Sequence, residues 1–130
     1  MEEELRALIL AHPPVQAIAD DRVYFGARPQ GDPLPGVVMT TISDVEGYHM
    51  QGRNGLSEGR VQIDCYAETY GQAKLLSRAI RDLLSFYRGG RFRGIFHVGT
   101  RDGREDRADD QVTQRPFRIG QDFNTNWRTD

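Results

Sequence analysis

Apolar and polar residues alternate from Arg60 to Tyr66, with Val61, Ile63 and Cys65 on one side and Arg60, Gln62, Asp64 and Tyr66 on the other. That is the period of a strand with one buried face. The period then changes. Ala73, Leu76, Ala79, Ile80, Leu83 and Leu84 recur at spacings of three and four, between Gln72, Lys74, Ser77, Arg78, Arg81 and Asp82. This predicts an amphipathic helix with a broad apolar stripe. Thr69 is placed to cap it, because its hydroxyl accepts a hydrogen bond from a first-turn amide, and Gln72 is spaced to complete a capping box. Arg88-Gly89-Gly90 predicts the helix end, with a cation at the negative pole and glycine for a left-handed exit.

The same reasoning covers the rest of the chain. Leu5, Leu8 and Ile9 give Glu2–Ala11 an apolar helical face, and Glu2, Glu3 and Glu4 suit the positive start of a helix. His12-Pro13-Pro14 ends that helix, and Val15–Ala19 reads as one more short helical turn. Arg22–Phe25 is a short strand closed by Gly26, and the proline-rich stretch Ala27–Gly36 is an extended loop. Val37–Ser43 is β-branched and continuous enough to predict a buried central strand, which Glu46–Met50 extends or pairs with. Gly52–Gly59 reads as a connecting loop, with Asn54-Gly55 as its turn. A strand is expected around Gly94–Thr100. The mixed-charge run Arg101–Asp110 reads as a solvated loop or hairpin tip, mobile to about Val112. Phe117, Ile119, Gln121, Phe123, Thr125 and Trp127 then alternate with polar residues and glycine in a long last strand. The fold class is α+β: one domain spanning residues 1–130, with a mixed, mostly antiparallel β-sheet of about four to six strands. An N-terminal helix and one long central helix pack on it.

Composition narrows the function classes. The chain has 130 residues, is 38% hydrophobic and 28% charged, and its net charge of −2 argues against a dedicated nucleic-acid binder. No apolar run approaches the roughly 20 residues needed to cross a bilayer, so no membrane partner is expected. The N-terminal stretch is acidic and amphipathic, unlike a signal or transit peptide. One cysteine excludes an internal disulfide and a multi-thiolate zinc site, and Cys65 reads as a buried small hydrophobe. Lys74 is the only lysine among 17 basic residues. His12, His49 and His97 are scattered without metal-ligand spacing, and no nucleophile elbow, phosphate loop or dinucleotide fingerprint is present. The arginines around Gly89-Gly90 follow a helix C-terminus, where the dipole opposes an anion. Asp102, Glu105, Asp106, Asp109 and Asp110 match no calcium loop and are interleaved with Arg101, Arg104 and Arg107. No catalytic residue, metal site or cofactor is expected.

Three blocks carry a resemblance, in order and together spanning Leu5 to Leu84: LRALILAHPPVQAI, DRVYFGARPQGDPLPGVVMTTIS and VQIDCYAETYGQAKLLSRAIRDLL. Their succession resembles the small tail completion, or tail terminator, proteins of long-tailed bacteriophages and phage-derived particles. The segment from Arg101 to Val112 lies outside the likeness. The resemblance implies a structural, non-enzymatic protein of the tail–neck region of a virion, assembled in the host cytoplasm. It implies a homo-oligomeric ring, typically a hexamer, that caps the head-proximal end of the tail tube, stops its polymerisation and joins tail to head. The implied partners are the tail tube protein and the head–neck stopper protein, with DNA passing transiently through the hole. Six copies at −2 each carry −12, and a lumen near neutral or mildly acidic would let DNA slide without sticking, where a strongly basic one would trap it. Exposed strand edges and loops are the expected interfaces, because identical heterologous contacts close a ring. The candidate interface or lumen residues are Arg28 and Gln30 in the proline loop, Tyr48 and Arg53 around the next loop, and Arg101, Asp102, Arg104 and Arg107 in the charged run. Alternatives stay open at this point: another neck protein (head completion or stopper), a small-ligand-binding or enzymatic α+β domain with a deep pocket, and a DNA binder using the arginines from Arg88 to Arg107.

Overall fold

A computed structural model of the chain describes residues 1–28, 33–49, 52–104 and 116–128, with the backbone alone at 48–49, 52–54 and 104. Three helices and six strands follow in the order α1 (Glu2–Leu10), α2 (Pro13–Ala19), β1 (Val23–Phe25), β2 (Gly36–His49), β3 (Gly52–Ala67), α3 (Tyr70–Leu84), β4 (Tyr87–Gly89), β5 (Phe92–Arg104) and β6 (Phe117–Arg128). The strands form one curled sheet in the order β1-β2-β3-β6-β5-β4. Only β1 and β2 run parallel; the other neighbours are antiparallel. A parallel pair requires the chain to return to its starting end, and the proline-rich segment between Phe25 and Gly36 makes that return. The α+β expectation holds.

All three helices pack on one face of this sheet. β3 and β6 are central, and their register sets Val61 opposite Phe123, Ile63 opposite Gln121 and Cys65 opposite Ile119. Over them lie Leu76, Ile80 and Leu84 of α3, with Leu5, Ile9, Val15 and Ala19 of α1 and α2 completing the core. Each such aliphatic side chain contributes about 1.5–3 kcal/mol on burial. Thr69 caps α3 as expected, its hydroxyl accepting from the Gln72 amide (3.2 Å). Pro13 and Pro14 both end α1 and open α2, since proline fits the first helical turn, where its missing N–H has no intrahelical use.

Four expectations are corrected. α3 stops at Ser85, and Phe86 takes the left-handed exit (φ 61°), while Arg88-Gly89 belongs to an edge strand and Gly90 (φ 53°) turns β4 into β5. A direct backbone bond from Phe86 N–H to the Ile95 carbonyl (2.8 Å) pulls the chain onto β5 before the glycines are reached. Gly52–Gly59 is strand, not loop: His49 opposes Gly52 and Tyr48 opposes Arg53. Gly55 (φ 76°) spends its freedom where three β3 residues face one of β2, so Asn54-Gly55 makes a bulge instead of a turn. β2 runs on to His49, and only its first part is a buried central strand; Thr41, Ile42 and Ser43 are exposed. Finally Arg101–Arg104 are paired with β6 and extend β5, so the first part of the charged run is strand.

Candidate assembly surface

The residues singled out from the sequence do not converge. Arg28 follows β1 and sets its guanidinium 5.9 Å from the Tyr66 ring centre, on the sheet face away from the helices. Tyr48 and Arg53 oppose one another near the end of the β2–β3 hairpin, at the far end of the molecule from Tyr66 along β3. Arg101 and Asp102, adjacent in sequence, fall on opposite faces of β5, as period two demands. Arg101 lies with Gly120 on the open face, whereas Asp102 pairs with Ile119 toward α3. There the Asp102 carboxylate accepts from the Tyr70 hydroxyl (2.8 Å) and binds Lys74 Nζ (3.2 Å), and these contacts hold its carboxyl below the ordinary value. Arg104 continues the strand opposite Phe117. Gln30 and Arg107 lie outside the described residues, as does most of the Arg101–Val112 run.

The open face carries a charged network that the sequence reading did not assemble. Asp122 accepts from Arg60 Nη2 (2.8 Å) and from Arg101 Nη1 (3.0 Å). Burial alone would raise its carboxyl, but the two arginines outweigh that and hold it below the usual carboxylate range. One step away, Asp64 accepts from Gln62 Nε2 (2.9 Å). Burial pushes Asp64 up, with Gln62, Arg118 and Arg101 only partly opposing it. Gly120 faces Asp64 across the strands, and a Cβ there would sit 2.7 Å from Asp64 Oδ1, so any larger residue requires that carboxylate to shift. Each strand had announced its polar alternation, but the cross-strand pairs needed the register, which a single sequence does not print.

Cys65 is fully buried, and desolvation pushes its thiol far above the ordinary range, the opposite of an activated nucleophile. His97 Nε2 lies 2.8 Å from the Thr100 hydroxyl, and burial followed by the Arg81 charge lowers its pKa. Gln121 is buried beneath α3 and donates to the Ser77 carbonyl (2.7 Å), tying helix to sheet. No group of three or more metal-ligating side chains gathers among the described residues, and none of their helices is long and apolar enough to cross a membrane. A groove of about 700 Å³ crosses the open face between the β2–β3 and β4–β5 hairpins. Val45, Leu56, Phe92 and Phe96 line it together with Glu58, Arg88 and Arg93. It holds neither a nucleophile–base pair nor convergent acids of the kind catalysis uses.

What the described residues offer instead is an extended hairpin, two sheet edges and an open charged face. The chain belongs to the family of tail completion protein gp17, whose pattern it matches over residues 3–125. It is thereby a structural protein of the virion, in its tail–neck region. Among solved structures it is similar to a chain from the "virion of native gene transfer agent (GTA) particle", with a TM-score of 0.64 and 20% identity. That alignment covers 95% of this chain and 91% of the other. No match to a curated protein was found.

Proposed function

We propose that the chain assembles as a closed ring, most simply a hexamer, on the head-proximal end of the tail tube. There it stops addition of tube subunits and presents the surface to which the head–neck stopper protein binds. DNA leaving the head passes through the central hole. The observation that carries this reading is family membership over nearly the whole chain, and a sheet with exposed edges is compatible with it. Ring closure also gives a physical reason for the exposed edges, since a sheet edge left open in solution is a liability that assembly removes.

Loss of the chain from a particle-producing cell tests the capping role. The expected outcome is filled heads separated from tails, with tubes longer than normal because nothing ends their growth. Unjoined tails of normal length would instead assign the protein to a head-side stopper role. Intact, joined particles would overturn the reading.

A further inference from the structure

Apolar surface and unpaired charge coincide in the groove on the open face, the side of the sheet that no described helix covers. A second hollow of about 370 Å³ continues it toward Arg60, and the two share Val45, Glu58, Phe96 and Asn126 as lining. β2 and β5 stand three strand spacings apart, about 14 Å, which admits one helix or one extended segment. The trough is shallow, since Val45 on its rim is 62% exposed. A small ligand needs most of its surface enclosed, so the shape suits part of a macromolecule.

The lining has an apolar strip with cations beside it. Val45, Leu56 and Phe96 form the strip, and Phe86, 74% exposed, extends it by setting its ring against Phe96 at 5.4 Å between centroids. Arg88 of β4 and Arg93 of β5 are exposed in the same lining, and neither makes an ion pair or side-chain hydrogen bond with any described residue. In this they differ from Arg60 and Arg101, which Asp122 holds. The carboxylate of the lining is Glu58 on β3, separated from the arginines by β6 and likewise unpaired among the described residues. A guanidinium offers a fixed fork that binds a carboxylate through two parallel hydrogen bonds. A DNA backbone would instead meet Glu58 and phenylalanine where it needs cations.

We infer that this groove docks a segment of a neighbouring, different protein of the particle. The segment lays apolar side chains on Val45, Leu56 and Phe96 and sets carboxylates on Arg88 and Arg93. This rests on the virion reading and gives one of its contacts a stated chemistry. The aromatic strip supplies the anchor, because buried aromatic contacts carry most of the energy of an interface. The charges supply direction. Acids on the segment face β4 and β5, and the flank toward Glu58 is neutral or basic, since like charges facing one another there are penalised.

The test places the photoreactive residue p-benzoylphenylalanine at position 45 of the full-length chain, within particles, and sequences what it joins. The expected product links this chain to another virion protein at a stretch of apolar residues with neighbouring Asp or Glu. A labelled peptide of that stretch is then titrated by fluorescence anisotropy against the wild-type chain and the double variant Arg88→Glu, Arg93→Glu. The variant should bind it about tenfold more weakly or worse, as loss of charge-assisted hydrogen bonds predicts. A peptide with those acids changed to lysine should recover binding to the variant, which also shows that the variant is folded. Cross-links only to a second copy, to DNA or to a stretch without acids overturn the inference. So do the absence of any cross-link, equal affinity for wild type and variant, and failure of the lysine peptide to recover binding. Each of those results leaves the capping role standing, because loss of the chain reads that role separately through tail length and joining.

Discussion

Asp122 and Asp64 show how two carboxylates on neighbouring strands are driven apart by their surroundings. Asp122 has its pKa lowered, so its contribution to stability is present above the unfolded carboxylate value and is lost as pH falls through its folded value. Asp64 has its pKa raised, so its ionisation opposes folding at neutral pH and that penalty disappears in acid. Asp122→Asn is therefore expected to destabilise the fold by about 1.5–3 kcal/mol near pH 7, the range for hydrogen bonds to charged groups. The loss should shrink as the pH is lowered from 7 to below the folded carboxyl's own depressed value, where the wild-type carboxyl also protonates. Urea unfolding at both pH values measures it, and a loss independent of pH would place the effect in packing. At this scale the sequence was legible in its alternation, which put Arg60, Gln62 and Asp64 on the face opposite Val61 and Ile63. Which arginine would meet which acid was not legible, because Arg60 and Asp122 are 62 positions apart and meet through strand register alone.

Among the elements, α3 and the strand before it were readable because two independent signals agreed: period and cap. The β2–β3 hairpin was misread because Asn54-Gly55 has the same left-handed preference in a bulge as in a turn. Length would have helped only with the partner strand known. The exit of α3 was hidden for a related reason: glycines stood nearby, yet Phe86 takes the unfavourable conformation itself. This leads to an expectation at the element scale. Phe86→Gly relieves about 1–2 kcal/mol of backbone strain and gives up about 0.5–1.5 kcal/mol of contact with Phe96. The net change in thermal stability of the unassembled chain should be within about 1 kcal/mol, read by calorimetry. Incorporation into particles should nonetheless fall, because the exposed ring belongs to the β4–β5 margin. A large loss of stability would show instead that Phe86 serves the fold.

For the molecule as a whole, the sequence carried the fold class and the structural character, since neither depends on side-chain geometry. It carried less of the assembly surface. Of the residues singled out, Arg101 is committed to Asp122 and Asp102 to Tyr70 and Lys74, both within the same chain. Ile42 and Val45 are exposed beyond the part of β2 that β1 covers, although Ile42 falls in the Val37–Ser43 run that reads as core. A family of virion proteins and an open-edged sheet together make position in the particle the decisive observable. The measurement is electron cryomicroscopy of the neck of purified particles containing this chain. The account predicts a single closed ring of it, with mass near six times 14.8 kDa, seated between the last tube layer and the head. Copies repeated along the tube, or found only on tailless heads, would contradict it.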